Sequence, residues 1–404
     1  MSEATILRSV GRRLTPLYIA AFLQGFVFWY TVEKIFMRSI GFDDQGIGIM
    51  ISLYSAVMLL VETPSGILAD RWSRKGVLIL ASLCLATTAL IGGLSHTPFS
   101  YYVASVFWGI FFALYSGTYD SIVYDTALEE TGSSSLFDKL YGRIKIADST
   151  ALVTSSLIGG VIANTLSVRH VYFLTIPMSL LAIVALLIFR EPQLHKAEAQ
   201  SHIREHLVNT VKAVIHNKAL VPIMLALVTI NTIQYILFEF SQIWLLAIVA
   251  PLIAFGPANA TVIGSIGAGG FIVDRLKLSK YWVMAAALLI GLGGLFGMIL
   301  ARNIVMIVLS QFILGTVLIA AIVIFNRLLH DNLGSSVRAG AASAVSTLCR
   351  IIIVPLAIFF GYLSRVHSIF AATWVLVAFY ILGAIFIMAV AAQKKRTGLI
   401  ANKS

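Results

Sequence analysis

The 404 residues are 59% hydrophobic and only 12% charged, with 24 Phe, 30 Gly and a formal net charge of +11. Together with a mean hydropathy of +0.93, this excludes a soluble globular domain and places the chain among polytopic membrane proteins. The positive charge does not point to nucleic acid, because it is distributed by loop rather than gathered on one segment.

A helix needs about 20 mostly apolar residues to cross a hydrocarbon core of ~30 Å. Twelve stretches qualify: 14 to 37, 46 to 68, 77 to 94, 99 to 124, 141 to 163, 169 to 189, 219 to 243, 250 to 272, 281 to 300, 304 to 326, 339 to 363 and 367 to 391. The seventh and eighth are the hardest to separate, since "LLAIVAPLIAFG" offers no polar loop. Continuous apolar runs of this length argue against an outer-membrane barrel, whose strands are short and alternating. The expected fold is therefore all-α and polytopic, with twelve membrane helices.

Of the 29 Lys and Arg, 23 fall at the termini or in every second loop, near 71, 143, 204, 277 and 338. Arg38, Arg169, Arg302 and Arg365 lie in the opposite loops, and Lys34 and Arg350 fall inside spans. The bias places both termini and the polar 191 to 218 segment in the cytoplasm, as in a multi-pass protein of a plasma (inner) membrane. The basic start "MSEATILRSVGRR" leads directly into a long span with no cleavage site, so no removable signal is expected. Cys84 and Cys349 both sit within spans, which leaves no disulfide framework and no metal-ligand spacing.

One polar knot stands out, "GILADRWSRKG" at 66 to 76. "GILADR" at 66 to 71 recurs as "GFIVDR" at 270 to 275, an offset of 204 residues. At an offset of 206, "YDSIVYD" at 119 to 125 aligns with "FNRLLHD" at 325 to 331, and Glu33 falls on Glu239. Three ordered matches at nearly one spacing point to a duplicated half of about 200 residues. The organisation expected is a six-helix bundle over 1 to 190, a cytoplasmic linker over 191 to 218 and a second bundle over 219 to 404.

With the knot after the second span, this duplicated architecture resembles the major facilitator superfamily, whose signature in that loop is Gly-x-Leu-Ala-Asp-Arg-x-Gly-Arg-Arg/Lys. Gly66, Leu68, Asp70, Arg71, Arg74 and Lys75 fit it, and Ser73 replaces the usual glycine. The second copy keeps Gly270, Asp274 and Arg275. The resemblance implies two pseudo-symmetric six-helix bundles and a cytoplasmic gate built from Glu62, Gly66, Asp70, Arg71, Arg74, Lys75, Asp125, Asp274 and Arg275. In that gate Gly66 would let the second span approach a neighbouring helix, and Asp70 would satisfy backbone donors at a following helix and pair with a cation.

Ionisable groups inside a membrane are costly and default to functional candidates. Glu33 and Glu239, on the first and seventh spans, are flanked by aromatics and are candidates for proton coupling; Asp148, about nine residues into the fifth span, is the third. Glu33 also has a bland reading, a pair with Lys34 or Arg38. Arg350 calls for an acidic partner, with Asp148 or Glu239 the nearest acids by depth. Trp29, Tyr30, Trp108, Tyr115, Tyr235, Phe238 and Arg350 are the expected substrate-cavity residues, although some of the aromatics are expected to pack between helices instead.

In the drug/proton antiporter branch the fifth span carries Gly-x8-Gly-x3-Gly-Pro-x2-Gly-Gly. This chain has Gly142, Ala151, Ser155, Ser156, Gly159 and Gly160 there, with small residues kept and the proline absent. The fourth-span arginine typical of that branch is also missing. The reading is a secondary transporter rather than an enzyme, proton-coupled and exporting small amphipathic or apolar molecules. It would need no cofactor beyond an ion gradient, act as a monomer and have no nucleic-acid partner. A symporter importing a polar or anionic solute through Arg350, and a membrane sensor without transport, remain as alternatives.

Overall fold

Polar caps mark the helix ends. The Asp43 carboxylate accepts the Gly46 N–H at 2.7 Å, Ser73 Oγ accepts Gly76 N–H at 2.9 Å, and Asn303 Oδ1 accepts Met306 N–H at 2.9 Å, each satisfying a donor that the first turn leaves open. A computed structural model describes residues 3–133, 135–192, 220–275, 281–332 and 335–396. Among these there is no strand. The first eight helices are α1 (Glu3–Gln24), α2 (Glu33–Ser39), α3 (Asp44–Arg71), α4 (Arg74–Leu94), α5 (Pro98–Tyr115), α6 (Thr118–Thr131), α7 (Phe137–Thr165) and α8 (His170–Ile188). They are followed by α9 (Leu220–Ala247), α10 (Phe255–Arg275), α11 (Tyr281–Leu300), α12 (Ile304–Asp331), α13 (Ser335–Val366) and α14 (Ile369–Arg396). Among the described residues, twelve helical stretches are long and apolar enough to cross a membrane. The expected linker, from residue 193 onward, lies outside the described residues.

Two expected spans are not single helices. The first breaks after Gln24, passes through a 3-10 turn at Phe28–Thr31 and resumes as α2. A Cβ on Gly25 would lie 2.8 Å from Ala151 Cβ and 2.9 Å from the Asp148 carbonyl oxygen, so only glycine lets α7 pack into the break. The Phe28 N–H, freed by the break, is taken by Thr175 Oγ1 at 3.2 Å. The fourth span breaks between α5 and α6, where Gly117 takes φ +74°.

The turn between the seventh and eighth spans is built without polar residues. Ala250 N–H reaches the Leu245 carbonyl and Val249 N–H the Leu246 carbonyl, both at 3.0 Å. This is a Schellman ending in which Val249, at φ +53°, occupies the position usually given to glycine. A β-branched residue is strained there, and Pro251 then prevents continuation. The absence of glycine and polar residues is why hydropathy alone does not mark the reversal.

The chain divides into two compact units, Met1–Ser201 with Pro251–Ala260, and His202–Ala250 with Thr261–Ser404. In the first, α4 packs on α5 and α8, α3 on α5, and α1 on α7 and α8. Its core includes Leu14, Leu17, Leu78, Ile122, Leu140 and Leu186. The buried small residues of α7, Ala151, Ser155, Ser156, Gly159 and Gly160, line its packed face. They admit the 3-10 turn on one side and Gly256 on the other, where Asn259 Nδ2 donates to Ser156 Oγ at 2.8 Å. Helix α7 is continuous across these residues. In the second unit α9 is the central helix, against α12, α13 and α14, while α11 packs on α12 and α14.

Candidate functional site

The polar knot is mostly helix. "GILADR" forms the last turns of α3 and Arg74 opens α4, leaving only Trp72 and Ser73 between them. Arg74 is its hub: the guanidinium pairs with Asp125, lies 3.3 Å from Asp70, and donates to the Ser121 carbonyl at 3.3 Å. The carboxylate that holds the N-terminus of α4 is Glu191, which was not singled out in the sequence. It accepts from Arg74 N–H at 2.6 Å, Lys75 N–H at 3.3 Å and Ser73 Oγ at 2.6 Å, while Lys75 Nζ donates to the Phe189 carbonyl at 3.1 Å. Two expectations are corrected here. Asp70 does not take the backbone donors, because it sits one helix turn before them with its side chain 40% exposed. Gly66 makes no close helix contact: nothing lies within 4 Å of where its Cβ would be. Ser65 makes the contact instead, donating to the Ala113 carbonyl at 2.9 Å. Asp125 does join the knot, through Arg74 rather than the exposed Arg71, and Glu62 lies about two and a half turns further back in α3. In the second copy Arg275 lies over the Phe271 ring at 5.0 Å, and the Asp274 side chain falls outside the described residues.

Glu33 opens α2, just past the apolar window of the first span. It is buried and paired with the adjacent, equally buried Lys34, which is the bland reading of its position. Tyr101 OH donates to Glu33 Oε1 at 2.9 Å, so Tyr172 OH, 2.9 Å away, must donate to Tyr101 in turn. Tyr172 stacks on Trp29, ring centroids 5.2 Å apart, and Phe36 packs against Tyr172 at 4.7 Å. Arg38 pairs elsewhere, with Asp44.

From Trp29 an aromatic ladder descends α5. Trp29 meets Trp108 at 4.9 Å, Trp108 meets Phe111 at 5.2 Å, Phe111 meets Tyr115 at 5.5 Å, and Tyr115 meets Tyr119 at 5.0 Å. Trp29 and Trp108 are buried in this packing at 1% and 5% exposure, so they do not face an open cavity as expected; Tyr30 and Tyr115 remain half-buried. The ladder ends at Asp148, half-buried on α7, with the phenols of Tyr115, Tyr119 and Tyr141 and the Lys145 ammonium within electrostatic reach. Behind it Tyr119 OH donates to Gln24 Oε1 at 2.6 Å, and Gln24 Nε2 donates to Ser82 Oγ at 2.7 Å. The residue before the helix break is thereby tied to α4 and α6.

The family model of the Major Facilitator Superfamily matches residues 14–354. The chain belongs to the Major Facilitator Superfamily. It is a multi-pass membrane protein of a transporter family. Among curated superfamily proteins it is similar to the multi-drug resistance efflux pump PmrA of Streptococcus pneumoniae, 29% identical over 167 residues, which cover 38% of this chain and 38% of that protein. It is also similar to multidrug resistance protein 1 of Bacillus subtilis, 24% identical over 180 residues, 45% of this chain and 44% of that one. The matched stretches thus span about two fifths of those relatives. In fold it is similar to the nucleoside transporter NupG (TM-score 0.72, 16% identity, 95% of this chain and 98% of that one). A bacterial homolog to the human lysosomal transporter Spinster gives a TM-score of 0.74 at 15% identity, with both chains fully covered. These structures establish the superfamily fold.

In the second unit of this superfamily fold, Glu239 is buried in the C-terminal third of an unbroken α9, unlike its sequence counterpart Glu33 on the broken first span. Tyr235 and Phe238 are half-buried on the same helix, and Arg350 is half-buried on α13. A nearby amide is tied down, Gln311 Nε2 donating to the Ser241 carbonyl at 3.0 Å. The partners that sequence reasoning missed, Tyr101, Tyr172, Thr175 and Glu191, are residue types common in loops and spans. No spacing rule marks them, because they act across helices.

Proposed function

We propose that this superfamily member is a secondary active transporter that works by alternating access, driven by a proton gradient, and exports small amphipathic or apolar molecules. The reading places it in a plasma membrane as a monomer with both termini cytoplasmic, with bundles over 1 to 190 and 219 to 404 rocking about the 191 to 218 linker. The observation that carries it is Asp148: a half-buried carboxylate inside an apolar span, at the foot of an aromatic ladder. A carboxylate there exchanges a proton at a cost set by its surroundings, and the rings beside it offer apolar contact to cargo. Glu239 and Glu33 are the other coupling candidates, and the Arg74 knot is the cytoplasmic gate whose contacts break and re-form in the cycle. The names of the curated relatives, a multi-drug resistance efflux pump and a multidrug resistance protein, support export.

The test is transport by the purified full chain in proteoliposomes carrying an imposed pH gradient, against a panel of dyes, antibiotics, sugars and amino acids. Efflux-direction movement of amphipathic compounds that stops when the gradient is collapsed is the expected result. Uptake of an anionic solute lost in Arg350→Lys would replace this reading with a symporter, because lysine keeps the charge but loses the planar fork.

A further inference from the structure

Helices α11 and α14 of the second unit leave a groove of about 490 Å3 between them. Ala285, Leu289 and Leu292 form one wall, and Ile381, Ala384 and Ile385 the other. Tyr380 is the partition at its base, lining both the groove and the small apolar space behind it at Ile233 and Leu318. Its hydroxyl is spent inside the protein: it donates to the Leu288 carbonyl at 2.8 Å, in room left by Gly291, where a Cβ would collide with the phenol oxygen. The groove therefore offers an occupant hydrocarbon contact and no hydroxyl to pair with, which suits an apolar chain and penalises a polar group. Leu289 is 69% and Ile385 58% exposed, and both lie inside the apolar windows Trp282–Leu300 and Ile369–Ala391. What lies against this face is the bilayer.

Dimensions and charge narrow the occupant. From Tyr380 to Met388 the groove runs about 12 Å along α14 at 1.5 Å per residue, close to the ~15 Å of one leaflet in a hydrocarbon core of ~30 Å. It lies early in α11 and late in α14, in the leaflet from which the C-terminal end of α14 emerges. Past the apolar window α14 continues through Lys394 and Lys395 to Arg396, a run that begins about 9 Å beyond Met388. Basic runs at the membrane surface attract anionic headgroups. The corresponding pair in the first unit, α4 and α8, is closed at this end by an acid instead, Glu191 holding the first N–H groups of α4. A second copy of the chain is a poor fit, because a stable dimer buries about 800 Å2 on each partner, far more than a groove of this length supplies.

We propose that the groove between α11 and α14, together with the basic run at 394 to 396, is a binding site for an anionic phospholipid. One acyl chain lies in the groove over Tyr380, and the headgroup phosphate sits where α14 leaves the hydrocarbon. The ligand is a lipid of the surrounding membrane rather than cargo, so the site stands whatever the chain transports.

Native mass spectrometry of the full chain, released from micelles holding equal amounts of dioleoyl phosphatidylglycerol and dioleoyl phosphatidylcholine, tests both halves of the site. The two probes share their acyl chains, so their ratio reads the headgroup and their sum reads the groove. The wild type should retain one phosphatidylglycerol, in excess over phosphatidylcholine by about tenfold or more, the scale of two or three basic residues at a membrane surface. Replacing Lys394, Lys395 and Arg396 by Gln together should bring that ratio within about twofold while a lipid is still retained. Ala285→Phe, which fills the groove, should lower retention of both lipids by about tenfold, since each methylene kept out of apolar contact weakens binding. Equal retention of the two probes by the wild type overturns the proposal, as does an unchanged ratio in the triple Gln variant. Wild-type retention in an Ala285→Phe protein that melts like the wild type overturns it too. If Ala285→Phe does not fold, Ala384→Phe on the facing wall decides by the same reading. A wild-type dimer that either Phe variant converts to monomer would give the groove to a second copy and remove the lipid from it.

Discussion

Glu33 and Asp148 are two carboxylates of one unit, joined by one aromatic ladder, and the fold treats them in opposite ways. Glu33 is sealed, its charge matched by Lys34 and its second oxygen held by Tyr101. Asp148 is half-buried, faced by phenols and by a cation that sits on the exposed side of its helix. A buried, matched pair is costly to disturb. The cation that acts on Asp148 among the described residues, Lys145, is exposed. The two carboxylates thus differ in whether the countercharge is built in beside them, as Lys34 is, or exposed, as Lys145 is.

The sharpest way to break this comparison is to remove the built-in countercharge. Lys34→Met leaves the Glu33 carboxylate buried without its cation and should cost about 3–5 kcal/mol, seen as a large fall in the detergent melting temperature. Adding Glu33→Gln to it should recover most of that loss, because a neutral pair no longer requires charge matching. A double variant no more stable than Lys34→Met would mean that Lys34 acts through packing and that the site is not a sealed ion pair.

Next in size is the junction between the two sites. Gly25→Ala pushes a methyl group to 2.8 Å from Ala151 Cβ and 2.9 Å from the Asp148 carbonyl oxygen, overpacking that should cost about 1–3 kcal/mol. It should also displace Asp148 without touching Glu33. Gly66→Ala, at the glycine that dominates the sequence motif, meets nothing within 4 Å and should change stability by less than about 0.5 kcal/mol. Comparable melting temperatures for the two variants would show that α7 does not press into the break.

These two glycines also show what was legible in the sequence. Spans, duplication and the polar knot follow from composition and spacing, since hydropathy and charge bias are properties of runs of residues. Gly66 and Asp70 are conspicuous because a motif contains them, yet Ser65 makes the close helix contact and Glu191 takes the backbone donors of α4. Glu191 lies 117 residues beyond Arg74 and in no motif at all, and its role depends on α8 ending beside the start of α4. The breaks in the first and fourth spans were illegible for a related reason. An apolar run remains apolar when its helix unwinds, and the acceptor that makes unwinding tolerable, Thr175, is 147 residues away from Phe28. Asp148 was legible as an intramembrane acid, whereas its three phenols come together only when α5, α6 and α7 pack.

A smaller effect tests how tightly Glu33 is sealed. Tyr101→Phe removes the hydroxyl that donates to Glu33 and accepts from Tyr172, and should cost about 1–2 kcal/mol by leaving two buried groups short of a partner. The loss should shrink when Tyr172→Phe is combined with it, because the second orphaned hydroxyl is then gone. Strict additivity in the melting temperatures would separate the two phenols and dissolve the chain of hydrogen bonds from Tyr172 to Glu33.

The smallest expected change in stability belongs to Asp148→Asn. Among the described residues the cation acting on its carboxylate is Lys145, which is exposed enough to be solvated once the acid is neutralised. Asparagine keeps the shape and one acceptor oxygen, so the packing against Gly25 is retained. Stability should therefore stay within about 0.5 kcal/mol of wild type, while gradient-driven transport falls to the level of liposomes without protein. A group that costs little to neutralise structurally yet abolishes turnover is one whose charge serves the cycle rather than the fold, the converse of Lys34. An Asp148→Asn protein destabilised as much as Lys34→Met would place both carboxylates in the structural class and leave Glu239 on the unbroken α9 as the remaining coupling candidate.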